Sequence, residues 1–243
     1  MKSDTVFFGI LTKSVFEGLN EYYEKIESLL ASAKEENKSR IAQEIGKMVK
    51  QLALSKDEEY SEWDLKMQEH DTTYDMLFTN FFRYSFIVLT SLALEDHLHR
   101  FCYALQDAKK HPKTPPNPRS NIIETYKNYV QQVGVSVQPD LWERIKDLNI
   151  IRNCIVHSSG NVNRSRYKSD LIRISKKDIG INISRKVEHT ELTPLYLNDN
   201  MLMFEPRYCK SVIDDIRVLL EALCKAAQLP TRMRFEDKKF IFE

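Results

Sequence analysis

The sequence predicts a mainly α protein, an up-and-down helical bundle with N-terminal helical hairpins and a small β-hairpin insertion before the last helix. Three observations carry that prediction. Apolar residues recur at three- and four-residue steps through most of the 243 residues, the mark of helices that bury one face. Only six glycines occur, too few for a turn-rich sheet protein. Helix start and stop signals also fall where the periodicity begins and ends: a Ser-x-x-Glu box, prolines at helix starts and glycines after helix ends.

In chain order, residues 14–33 place Val15, Leu19, Tyr22 or Tyr23, Ile26, Leu29 and Leu30 at helical spacing. A polar stretch at 34–39 is expected to break this helix before a second one through Ile41, Ile45, Met48, Val49 and Leu52. Ser55 with Glu58 three residues on forms a capping box and opens a third, acidic helix with Trp63 and Met67. Residues 1–70 are thus expected as helical hairpins packed on the core, and 71–243 as the main helical domain. Asp71-Thr72-Thr73 reads as the cap of the longest helix, running to about Ala108. Its expected core stripe is Leu77, Phe81, Ser85, Val88, Leu92, Glu95, His99 and Cys102, widened by Phe78, Phe82, Leu89 and Leu98. Glu95 is the misfit, because a buried carboxylate must be paired, hydrogen-bonded or neutralised. Asp96 is turned about 100° away, toward solvent.

A proline-rich loop at 111–118 leads to a helix at about 120–133 that ends on Gly134, and Pro139 starts the next helix. Beyond Gly160, residues 161–177 are basic. Leu171-Ile172-Arg173-Ile174 reads as a short strand, and residues 195–204 as a hairpin turning on Asn198-Asp199-Asn200. Residues 165–205 are therefore expected as a β-rich insertion. A last helix follows from Pro206 to about Gln228, with Cys209, Val212, Ile213, Ile216, Leu219, Leu220 and Leu223 on its core face. The tail from Arg232 is expected as an edge strand or a partner-binding extension.

The helix after Pro139 carries the chemistry. Leu141, Ile145, Leu148, Ile151 or Arg152, and Ile155 make its apolar face, and Ser158-Ser159-Gly160 stops it, with Gly160 free to turn left-handed. Arg152, Asn153 and His157 therefore stand on its last turns, with Asn153 and His157 four apart on one face. The natural partners of Glu95 are these three residues. Two readings stay open. The cluster can be structural, with Glu95 neutralising Arg152, Asn153 capping carbonyls and His157 facing the negative end of the helix dipole. Alternatively, its imidazole and guanidinium serve a ligand.

Arg152-Asn153-Cys154-Ile155-Val156-His157 resembles the Arg-Asn-x3-His signature of the HEPN superfamily (higher eukaryote and prokaryote nucleotide-binding domains). The context Ala93-Leu94-Glu95-Asp96 is similar to the acidic position those domains place beside the motif helix. The likeness covers roughly residues 72–228. It implies a metal-independent endoribonuclease without a cofactor, acting on RNA as a homodimer whose active centre is shared between protomers. It further implies a toxin or antiviral defence effector, with an antitoxin or sensor protein as a partner. By resemblance, His157 moves protons, Arg152 holds the scissile phosphate, Asn153 orients or bridges, and Glu95 positions Arg152 or His157. The alternative within the family is a non-catalytic module binding RNA, a nucleotide or a partner protein. Residue chemistry agrees: imidazole titrates near neutrality, and guanidinium stays charged and grips two phosphate oxygens. Arg164, Arg166 and Lys168, just downstream of His157, are candidate RNA contacts.

Other classes find little support. There is no phosphate-binding glycine loop, nucleophile elbow or His-Glu-x-x-His. His97 and His99 are two apart, whereas metal ligands on a helix stand three or four apart, so no metal site is expected. Four widely spaced cysteines without Cys-x-x-Cys suggest reduced thiols in a cytoplasmic protein. Residues 81–94 form the longest apolar run, expected to be too short to span a bilayer, and no secretory signal is recognisable. Net charge is +1, with ten basic and fourteen acidic side chains in residues 1–70, and 26 and 21 in the remainder. That asymmetry alone does not name a polyanion partner.

Overall fold

The computed structural model describes residues 3–184, 200–229, 233–236 and 239–242. Its helices are α1 (Ser3–Leu52), α2 (Lys56–Asp71), α3 (Thr79–Lys109), α4 (Ile122–Gln132), α5 (Pro139–Ser158), α6 (Lys168–Lys177) and α7 (Pro206–Ala227). Two short antiparallel ladders complete it, β1 (Ile181–Ile183) with β2 (Leu202–Phe204) and β3 (Met233–Glu236) with β4 (Lys239–Phe242). The fold is mainly α, as the sequence predicts. Helix α3 is its axis, with α1, α4, α5 and α7 packed around it.

At the N-terminus the expected break at 34–39 is absent: α1 runs through it. The Lys and Glu residues of that stretch are good helix formers, and no Gly or Pro falls within it. One long hairpin therefore replaces several. The capping box at Ser55 and Glu58 is present, Glu58 N donating to Ser55 Oγ and Ser55 N to a Glu58 carboxylate oxygen.

Asp71-Thr72-Thr73 does not start a helix either. Residues Thr72–Phe78 form a π-helical segment that joins α2 and α3 without a gap. The extra residue of such a turn is accommodated by outside contacts. Buried His70 lies 2.9 Å from the Lys34 carbonyl, and Lys34 Nζ reaches Asp75 at 2.7 Å. Thr79 Oγ1 donates to the Tyr74 carbonyl. Within the continuous helix Lys56–Lys109, an 18-residue window is long and apolar enough, by length and composition alone, to cross a membrane, longer than the run of 81–94 suggests.

The buried side of α3 agrees with the expected stripe at Leu98 and Cys102 and departs from it over the first half of the helix. Tyr84, Phe86, Ile87, Leu94, Leu98, Phe101 and Leu105 face the core, whereas Phe78, Phe81, Ser85, Leu89 and Leu92 are exposed. Both sides of this helix are apolar, so periodicity cannot choose between them. Tertiary polar contacts decide: Asn80 Nδ2 and Tyr84 Oη donate to the Leu202 carbonyl, and Arg83 donates to that of Phe204. Thr90 and Ser91 are buried because each hydroxyl returns to a carbonyl four residues back. Asp96 is exposed, as expected, and pairs with Arg100 at 2.7 Å.

Residues 168–177 are helical, correcting the expected strand at 171–174. Leu171 and Ile174 bury one side of α6, and tertiary packing overrides the β-preference of Ile. Buried Asp147 of α5 accepts from Arg173 Nη2 at 2.6 Å and pairs with Lys177 at 3.5 Å, so α6 is held on α5. Among the described residues the insertion thus holds a helix and one ladder, in which Ile181 pairs with Phe204 and Ile183 with Leu202. Residues 195–199 of the expected hairpin lie outside the described residues, and its second half forms β2, paired with β1. Helix α7 buries all seven residues named for its core face. The tail is a ribbon of its own, Met233 opposite Phe242 and Glu236 opposite Lys239.

Candidate functional site

Helix α5 starts with Pro139 at its first turn and buries Leu141, Ile145, Leu148 and Ile151. It stops at Ser159 and Gly160, which both take positive φ (51° and 78°). Gly160 N donates to the Cys154 carbonyl at 3.1 Å, which satisfies an otherwise orphaned group. Only glycine fits here, because a Cβ on Gly160 would collide with the Tyr84 hydroxyl and ring. Beyond it, Leu202 N donates to the Gly160 carbonyl at 3.0 Å and Val162 N to that of Asn200 at 2.9 Å. The end of the motif helix is thereby tied to β2, and β2 to α3.

On that frame Glu95 of α3 stands near Arg152 of α5. Burial pushes the Glu95 carboxyl above its usual range, and the Arg152 guanidinium pulls it back by less. The two form no ion pair among the described residues. Arg152 Nη1 donates to Asn153 Oδ1 at 3.0 Å, while its buried Nε meets no acceptor. Arg152, Asn153 and Glu95 are half-buried, and His157 is exposed on the last turn. His157 carries no hydrogen bond among the described residues. Val156, beside it, is 46 % exposed. Cys154, between Arg152 and His157, points inward, its thiol pushed up to about 11 by burial. All four cysteines are free and buried.

Arg164, Arg166 and Lys168 are exposed, on a segment fixed from below. Asn161 Oδ1 accepts from Arg164 N at 3.1 Å and Ser165 Oγ from Tyr167 N at 3.2 Å. The Arg166 guanidinium lies 4.7 Å from the centre of the Tyr167 ring. Among the described residues no group of three or more His, Cys, Asp or Glu side chains is placed to hold a metal ion.

Sequence reasoning missed two features next to this cluster. The first is the exposed row Phe78, Phe81, Leu89 and Leu92 on α3, signalled by its three- and four-residue steps but assigned to the core. The second is a cluster one turn past Glu95, where His99 Nδ1 lies 3.2 Å from the Tyr126 hydroxyl of α4. The direction of that hydrogen bond follows the imidazole tautomer. The Tyr103 ring packs edge-on to His99 at 5.0 Å.

Compared with protein-family models, with curated proteins and with solved structures, the chain matches none.

Proposed function

We propose that this protein is a metal-independent endoribonuclease of the HEPN type, working in the cytoplasm as a homodimer and serving as a toxin or antiviral defence effector. The observation that carries the reading is the state of Arg152. Its guanidinium has no carboxylate partner among the described residues and keeps an unsatisfied buried Nε, so its charge remains for an anion. In the reaction, the ribose 2′-oxygen attacks phosphorus, the bond to the 5′-oxygen breaks, and a 2′,3′-cyclic phosphate and a 5′-hydroxyl result. His157 takes the 2′-hydroxyl proton or gives one to the leaving oxygen, and a dimer supplies an imidazole for each task. Arg152 faces the charge gathering on the phosphoryl oxygens. Asn153 holds the guanidinium through Nη1, and Glu95 stands near it without an ion pair. Arg164, Arg166 and Lys168 extend the positive field along the strand.

The second protomer is supported by the apolar row. Phe78, Phe81, Leu89 and Leu92 are 43–48 % exposed on one helix face, and the row ends at Glu95. A contiguous exposed apolar face marks an interaction surface. Isologous pairing is the commonest way to cover one, and here it sets the two motif sites close together.

A second reading, a module that binds RNA, a nucleotide or a partner protein without cleaving, is favoured by His157 lacking a partner that fixes its tautomer. One experiment separates them. Purified wild type, His157→Ala and Arg152→Ala are incubated with RNA in EDTA. Cleavage to cyclic-phosphate ends by wild type alone supports the nuclease. Intact RNA that is retained by wild type and His157→Ala but lost by Arg152→Ala supports the binding module.

A further inference from the structure

The outward face of α3 changes character at Glu95. Before it stand Phe78, Phe81, Leu89 and Leu92; after it come His99, one turn on, and Tyr103, two turns on, about 12 Å from Glu95 by helical rise. Tyr103 is 46 % exposed. His99 is half-buried, and its Nδ1 is engaged by Tyr126, whose buried hydroxyl is pushed up to about 12 and so stays protonated. That contact fixes the imidazole plane, and Nε2 has no partner among the described residues. The Tyr103 ring packs against His99 edge to face at 68°. Helix α5 runs antiparallel to α3, with Gly160 at Tyr84 and Arg152 near Glu95, so Asn149, half-buried one turn before Asn153, stands about level with His99.

We propose that Tyr103, His99 and Asn149 form a nucleobase subsite for single-stranded RNA, on the side of the Arg152 phosphate site away from His157. The assignment rests on the RNA reading given above. An exposed aromatic face is the general platform for an unpaired base. An oriented imidazole nitrogen and a side-chain amide beside it supply the donor and acceptor that read a base edge. The positive groups at Arg152 and the 161–168 loop hold phosphates, whereas this end of the surface offers rings and an imidazole, with Asp96 and Arg100 beside them paired to each other at 2.7 Å. A strand crossing from one to the other places its backbone first and a base a few nucleotides on.

The test uses the full chain in the His157→Ala background, so that RNA stays intact, with a short labelled single-stranded RNA followed by fluorescence anisotropy. Adding Tyr103→Ala is expected to weaken binding about tenfold, and adding Tyr103→Phe to change it by less than about twofold, because the ring face is what stacks. An RNA lacking the base that sits there is expected to bind both backgrounds equally weakly. If Tyr103→Ala binds as tightly as its parent while Arg152→Ala loses RNA, the subsite is refuted and the phosphate site stands. If the His157→Ala parent does not bind RNA at all, the RNA reading fails and the subsite falls with it.

Discussion

Replacing Gly160 by alanine tests the link between the fold and the candidate site most directly. At φ 78° an alanine pays for a left-handed backbone with about 1–2 kcal/mol. Its Cβ also collides with the Tyr84 hydroxyl and ring carbons, so the ring must move. Moving it breaks the 2.6 Å bond from Tyr84 Oη to the Leu202 carbonyl and leaves a buried hydroxyl orphaned, which costs about 1–3 kcal/mol. The edge-to-face contact of Tyr84 with Phe204 is disturbed as well, worth about 0.5–1.5 kcal/mol. The sum is about 2.5–6.5 kcal/mol, or a Tm lower by roughly 5–26 °C for a chain of this size. Chemical denaturation of Gly160→Ala, Tyr84→Leu and the double variant measures it. Leucine lacks the colliding atoms, so in that background Gly160→Ala should cost only the backbone share of about 1–2 kcal/mol. Equal costs in the two backgrounds would refute the packing account of Gly160.

Three further substitutions probe the rest. Glu95→Gln removes a carboxyl that folding holds above its ordinary 4.5. Wild-type stability is therefore full below that value and falls as pH rises through the folded pKa, whereas Glu95→Gln lacks the fall and is the more stable of the two at neutral pH; denaturation curves from acid to neutral pH check this. Arg83→Ala breaks a pair with Glu27 whose side chains are 14 % and 20 % exposed and is expected to cost about 3 kcal/mol in urea unfolding. Replacing both partners by apolar residues should recover part of that loss. Leu89→Asp with Leu92→Asp is expected to give a monomer in sedimentation with its stability changed by less than about 1 kcal/mol, because both positions are exposed. A wild type that sediments as a monomer at micromolar concentration counts against the dimer, and selective binding of wild type to lipid vesicles would assign the row to a membrane.

How far the sequence could be read depends on which interactions decide each element. Helices α5 and α7 have an apolar face and a clear stop, and spacing finds most of that face, although Trp142, Asp147 and Ile150 of α5 are buried off it. The capping box at Ser55 is equally local. In α3 the two apolar sides carry comparable periodicity, and the choice is made by Asn80, Arg83 and Tyr84 reaching β2 more than a hundred residues later in the chain. No local pattern contains that information. The π segment at Thr72–Phe78 likewise depends on Lys34 and His70 across the hairpin. At the candidate site, proximity of Glu95 to Arg152 follows from chemistry, since a half-buried carboxyl needs a neighbour. The absence of an ion pair between them does not follow, because it depends on side-chain placement across two helices.

That unspent charge explains why the carbonyl contacts at β2 matter to the chemistry. Asn80 and Tyr84 share the Leu202 carbonyl, Leu202 N returns to Gly160, and Gly160 ends the helix that carries Arg152 and His157. The height of α5 against α3 is thus set at its C-terminal end by the bonds that run through β2, while Asp147 with Arg173 and Lys177 fixes α5 to α6. Between these two fixed points Arg152 has no carboxylate of its own to hold it, only Asn153. A guanidinium so placed keeps its position when an anion arrives, because helix packing, and not an ion pair that must first be broken, fixes where it stands. Preorganisation of this kind lowers the cost of binding.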